Sequence, residues 1–128
     1  MKPFILSCLL CLFTTSAAAE AFDERMSAGK RAEGTPQGGA YLQTLGPAYG
    51  AAMRICIPPG STSPENLGRF ELVADVGPEG RVKNAVVRPV TPISRCFANE
   101  LVKFSLAAAP PAAKDNPYPI YVEMKVAP

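Results

Sequence analysis

Phe70-Glu71-Leu72-Val73-Ala74-Asp75-Val76-Gly77-Pro78-Glu79-Gly80-Arg81-Val82 is the stretch that decides the fold of this chain. Phe70, Leu72, Ala74 and Val76 alternate with Glu71, Val73 and Asp75, the period-two pattern of a strand with one face in a core. Gly77-Pro78-Glu79-Gly80 then places proline and glycine where a chain reversal needs them. A hairpin turn accounts for the Gly77/Gly80 spacing better than a nucleic-acid-binding loop does. The valine-rich return from Arg81 to Thr91 reads as a second strand. Its parity breaks, because Val82 and Val86 lie on one phase while Ala85 and Val87 lie on the other. One extra residue near Lys83-Asn84, a β-bulge, repairs it.

Downstream, Thr91-Pro92 is a capping residue followed by proline, a helix start. Ile93, Phe97, Leu101 and Phe104 recur at helical spacing, with Arg95, Asn99 and Lys103 opposite, and Ala107-Ala108-Ala109 carries the pattern to Pro110-Pro111, which stops it. Tyr118 to Val126 is a third strand: Ile120, Val122, Met124 and Val126 alternate with Tyr121, Glu123 and Lys125. Upstream, Leu42, Leu45, Tyr49, Met53 and Cys56 make an apolar helical stripe interrupted by Gly46-Pro47. The expectation is a short first turn, a break, and a helix from about Pro47 to Ile55, ended by Pro58-Pro59-Gly60. The order helix-strand-strand-helix-strand predicts an α+β fold, a small antiparallel three-stranded sheet with helices packed on one face.

The N-terminus reads as an export signal: Lys2, an uncharged apolar run from Phe4 to Phe13, then Ala17-Ala18-Ala19 before Glu20. The run falls short of the roughly 20 apolar residues of a spanning helix. Residues 1–19 are therefore expected to be removed after Ala19, leaving no stable membrane insertion. Residues 20–39 are polar and glycine-rich. Phe22 and Met26 start a helical turn that nothing further along sustains, so a flexible arm is expected there, ahead of one domain at 40–128.

Cys8 and Cys11 leave with the signal, so Cys56 and Cys96 remain as one pair. In an oxidising compartment the pair reads as a disulfide tying the two helices, closing a loop of about forty residues. The whole chain has 13 basic and 11 acidic residues. With Lys2 gone it stays near neutrality, and its basic residues are scattered, which argues against a nucleic-acid partner.

Catalytic chemistry finds little to work with. The chain has no histidine, which removes the usual Ser-His-Asp and Cys-His arrangements and the commonest metal ligand. No phosphate loop, dinucleotide fingerprint or metal-ligand spacing occurs, so no cofactor or metal is expected. Glu71, Asp75 and Glu123 fall on strand faces read as solvent-exposed, and two strand carboxylates facing each other across a cleft are the only acid/base arrangement available.

The strand ending in Gly77-Pro78-Glu79-Gly80, the return Arg81-Val82 with Val86-Val87, the helix Cys96 to Phe104 and the proline-containing loop into a valine-rich final strand resemble the C-terminal domain of TonB and TolA and its stand-alone relatives in Gram-negative bacteria. The resemblance covers Phe70 to Val126. It implies a periplasmic, non-enzymatic protein-interaction module that offers a sheet edge to a partner segment. Two features depart from it. There is no uncleaved anchor with a proline-rich spacer, and Ala109-Pro110-Pro111 stands where the family commonly has Phe-Pro after its helix. Energy transduction is thereby disfavoured, and a soluble module, monomer or homodimer, is expected. The edge expected to receive the partner is the last strand, with Tyr118, Tyr121, Glu123 and Lys125 exposed along it. The same residues would equally serve to solvate a covered or self-paired strand. An immunity or inhibitor protein against an exported toxin or hydrolase is the alternative function.

Overall fold

The computed structural model describes residues 16–57, 64, 67–111 and 117–127. It is an α+β protein in which three helices pack against one antiparallel sheet. In chain order the elements are α1 (Ser16–Glu33), α2 (Pro36–Cys56), β1 (Gly68–Val76), β2 (Val82–Arg88), α3 (Pro92–Leu101) and β3 (Tyr118–Val126). The sheet order is β2-β1-β3, so the strand that decided the fold lies at its centre, antiparallel to both neighbours.

β1 sends Phe70, Leu72, Ala74 and Val76 to one face, where they meet Ile120, Val122 and Val126 of β3 and the buried stripes of α2 and α3. The expected bulge is present. Val73 pairs with Val86 and Asp75 with Lys83, so β2 fits Asn84 and Ala85 opposite Ala74 alone. Asn84 takes a left-handed φ of 54° and donates a side-chain hydrogen bond to Asp75 Oδ2 at 3.1 Å.

α2 differs from the expectation in length and phase. Thr35 caps it, accepting from the Gly38 amide at 3.0 Å, and Pro36 follows in the first turn. The helix then runs through Pro47 without stopping. Gly46 has no Cβ, which relieves the clash that drives a residue before proline out of helical backbone. Burial of Tyr41, Leu45, Tyr49 and Ala52 offsets the hydrogen bond that Pro47 cannot make. The inward stripe thus includes Tyr41, while Leu42 is 37% exposed.

α3 begins as read, with a capping box between Thr91 and Ser94 (3.0 and 2.8 Å) and Phe97 and Leu101 fully buried. It ends at Leu101, eight residues before Ala109. The chain turns at Val102–Phe104, Ser105 bridges to Arg81, and the Leu106 amide donates to the Gly80 carbonyl at 3.0 Å. Satisfying the hairpin's backbone displaces further helix, and the Ala107 carbonyl accepts from the Tyr41 hydroxyl at 3.0 Å. The Cys56–Cys96 disulfide joins the end of α2 to α3 across a Cα–Cα distance of 5.7 Å.

The largest correction concerns residues 20–39. The arm is helical: α1 covers most of it and α2 starts within it. α2 and α3 share one sheet face as expected, and α1 lies on the other, where Phe22 and Met26 pack on Val73 and Tyr121. Ion pairs from Asp23 to Arg88 (3.0 Å) and from Arg25 to Asp75 (3.6 Å) flank that contact. The signal segment lies outside the described residues up to position 15, and residues 16–19 open α1. Among the described residues no helix is long and apolar enough to cross a membrane.

Candidate partner-binding edge

A sheet of order β2-β1-β3 has two outer edges, and they are not equivalent. β2 is blunted. Its ladder is broken by the bulge, the Arg25 guanidinium donates to the Asn84 carbonyl at 2.7 Å, and residues 105–106 cover the hairpin end. β3 is continuous over nine residues, roughly 30 Å at about 3.3 Å per residue. Its register with β1 runs unbroken from Gly68↔Val126 to Val76↔Tyr118. Among the described residues, no backbone or side-chain group hydrogen-bonds the main chain on the outer side of β3. The outward-directed main-chain groups of this strand therefore have no hydrogen-bond partner among the described residues, and Pro119, near its start, has no amide to offer.

The four side chains expected along this edge divide into two pairs. Glu123 and Lys125 are exposed, as read. Glu123 pairs with Arg69 at 3.1 Å, both largely in solvent, so the bond adds little stability. Lys125 has no ion-pair partner among the described residues. The tyrosines are not exposed. Tyr118 shares the phase of Ile120 and faces α2, its ring edge-on to Tyr41 at 5.2 Å between centroids. Tyr121 is 9% exposed because α1 lies over it, with Phe22 beside its ring and the Lys30 ammonium 5.2 Å from the ring centroid.

The Tyr121 hydroxyl ends between two carboxylates, 3.0 Å from Glu71 Oε2 and 3.4 Å from Glu123 Oε2. Glu71 and Glu123 are direct cross-strand partners, and Arg88 (3.4 Å from Glu71) and Arg69 offset their like charges. Burial, and then the hydrogen bond to Glu71 and the charges of Glu71 and Glu123, hold the Tyr121 phenol well above the ordinary tyrosine value. It therefore keeps its proton at neutral pH and serves as a donor that ties β3 to β1. Glu71 and Glu123 are the carboxylates that meet, side by side on adjacent strands with the Tyr121 hydroxyl between them. Among the described residues no three histidine, cysteine, aspartate or glutamate side chains converge to hold a metal ion.

The sequence reading missed α1 and with it Gly29, which lies against Ile120 and Tyr121, and Glu33, which lies beside Tyr118 and Pro119 at the start of β3. The available signal was Phe22, Met26 and Gly29 at steps of four and three, a helical face whose third member is small instead of apolar. No protein-family model, no curated protein and no solved structure matches this chain.

Proposed function

We propose that this chain is an exported, non-enzymatic interaction module that takes an extended segment of a periplasmic partner protein onto the outer edge of β3. The observation that carries the reading is the contrast between the two edges: β2 is bulged and capped, whereas β3 is regular over nine residues and its outer side has no main-chain hydrogen bond among the described residues. Main-chain hydrogen bonds supply affinity in such strand addition, and alternate side chains supply selectivity. Glu123 and Lys125, the latter without an ion-pair partner among the described residues, are exposed side chains available for that selection. The N-terminal export pattern and the disulfide both fit an oxidising compartment.

The test is site-specific photo-cross-linking in Gram-negative cells, with the reactive residue at Lys125 and, as control, at the exposed Arg95 of α3. A discrete protein adduct from Lys125 and none from Arg95 is expected. Proline is then placed at Glu123 or at Met124, whose amides face opposite sides of β3. The variant that keeps its far-ultraviolet dichroism blocks the outer edge and should lose the adduct. An adduct that survives it would defeat the strand-addition reading.

A further inference from the structure

A small half-open pocket lies at the start of β3, where the end of α1 meets the first turns of α2, with a cavity volume of about 10 Å³. Glu33, Gly38, Tyr41, Tyr118 and Pro119 form its rim, with Leu45 beneath. The volume is far below the roughly 300–1,000 Å³ of metabolite sites and leaves room for about one water-sized group, the size of a single ammonium. Tyr41 and Tyr118 meet at an interplanar angle of 83°, a right-angled aromatic corner. Glu33 supplies the only carboxylate of this lining, and it has no ion-pair or hydrogen-bond partner among the described residues.

Its nearest cation, Lys30, turns its ammonium over the Tyr121 ring. Burial raises the Glu33 carboxyl above its usual value, with the Lys30 charge pulling the other way. The helix ends offer no net compensation. The C-terminal end of α1 and the N-terminal end of α2 carry opposite partial charges and adjoin at Glu33. A half-buried carboxylate beside two aromatic rings, without a counter-charge of its own, is complementary to one compact cation.

We propose that this pocket is a subsite for one alkylammonium group, the lysine side chain of the extended segment that pairs with β3. The inference rests on the strand-addition reading, because Tyr118, Pro119 and Ile120 belong to both the pocket and the edge. A segment lying along β3 passes the pocket mouth at that end. Its lysine stem lies along Leu42 and Pro119, and its ammonium reaches Glu33 and the ring faces. Lysine fits better than arginine, since a compact point charge needs less room than a planar guanidinium.

The experiment is an amide-resonance titration of the full exported chain with Nα-acetyl-lysine methylamide. The norleucine diamide, which keeps the four-carbon stem and lacks the ammonium, serves as uncharged control and spermidine as a free polyamine. Saturable shifts of Gly38, Tyr118 and Ile120 with the lysine compound are expected, weakened about ten-fold or more in Glu33→Gln. Tyr118→Leu, which keeps a side chain in the wall, should weaken binding without unfolding the sheet. Equal shifts from norleucine, or unchanged affinity in Glu33→Gln, would overturn the subsite. Tighter binding of spermidine than of the lysine compound would overturn its assignment to a partner's lysine. The edge is judged separately by the Lys125 adduct. An adduct that persists while the lysine compound fails to bind removes the subsite alone. Loss of the wild-type adduct removes the edge, and with it the source of the lysine.

Discussion

Gly29 of α1 lies directly on the backbone of Tyr121 in β3: a Cβ at Gly29 would sit 2.8 Å from the Tyr121 Cβ and 2.9 Å from its amide nitrogen. No side chain fits there without moving the helix off the strand. Glycine normally weakens a helix, so its presence in the middle of α1 reflects this close approach. Gly29→Ala should therefore destabilise the protein by about 1–3 kcal/mol, despite alanine's better helix propensity. Gly39→Ala in α2, whose Cβ would meet only the Glu33 carbonyl at 3.6 Å, should be neutral or stabilising by up to about 1 kcal/mol. Urea unfolding of the two variants checks the opposite signs, and equal effects would mean that α1 does not dock as described.

The contrast also explains which parts of the fold were legible in the sequence. β1, β3 and the start of α3 announce themselves because each buries large apolar side chains at a regular period: Phe70, Leu72 and Val76, Ile120 and Val122, Ile93 and Phe97. α1 buries Phe22 and half-buries Met26, and it completes its contact with a glycine, which carries no hydropathy signal. Its remaining anchors are Asp23 and Arg25, whose partners Arg88 and Asp75 are distant in sequence. Because α1 was not visible, Tyr121 was assigned to solvent. Tyr118 was assigned to solvent as well, although it shares the parity of Ile120 and the alternation itself places it on the inner face. The outer status of β3 depended on strand order, which local pattern does not encode.

The disulfide should contribute substantially to stability. Cys56 and Cys96 are 40 residues apart, and closing a loop of that size restricts the unfolded chain by about 4 kcal/mol in the chain-entropy treatment. The double variant Cys56→Ala/Cys96→Ala should lose about 2–5 kcal/mol relative to the oxidised protein in urea titrations. Oxidised wild type should be lighter by two hydrogen atoms than the reduced form on intact-mass measurement. Two freely alkylated thiols in protein taken from the periplasm would contradict the link.

Alkaline pH should be the sensitive direction. All four tyrosines have raised values, Tyr41, Tyr49, Tyr118 and Tyr121, with burial the leading cause in each. A phenol whose folded value exceeds its unfolded value of about 10 keeps its full contribution below that pH. As pH rises further, the unfolded chain loses its phenolic protons first and is favoured, so stability falls between the unfolded and the folded values. With no histidine in the chain, little side-chain titration is expected between about pH 6 and 9. Thermal melts should therefore be nearly flat across that range and decline above pH 10, with tyrosinate absorbance near 295 nm rising as the protein unfolds. A marked stability change near pH 6.5 would contradict this account.

Tyr49 separates the stability effect of its hydroxyl from that of its ring. The side chain is buried against Phe97, 6.1 Å between ring centroids, and its hydroxyl has no hydrogen-bond partner among the described residues. An unsatisfied buried hydroxyl costs about 1–3 kcal/mol of desolvation, whereas the ring contributes the full packing of an aromatic side chain. Tyr49→Phe keeps the ring and removes the unpaired oxygen, so it should raise stability at pH 7 by about 1 kcal/mol. Tyr49→Ala should lower it by about 3–5 kcal/mol through the cavity left beside Phe97 and Leu45. Burial, with smaller contributions from Tyr41 and Glu33, is what raises the Tyr49 phenol, so Tyr49→Phe should also soften the decline above pH 10. Urea titrations at pH 7 and pH 10.5 measure both effects on one variant. A loss of stability in Tyr49→Phe at pH 7 would show that the hydroxyl is satisfied in solution, by a buried water or by an interaction beyond the described residues.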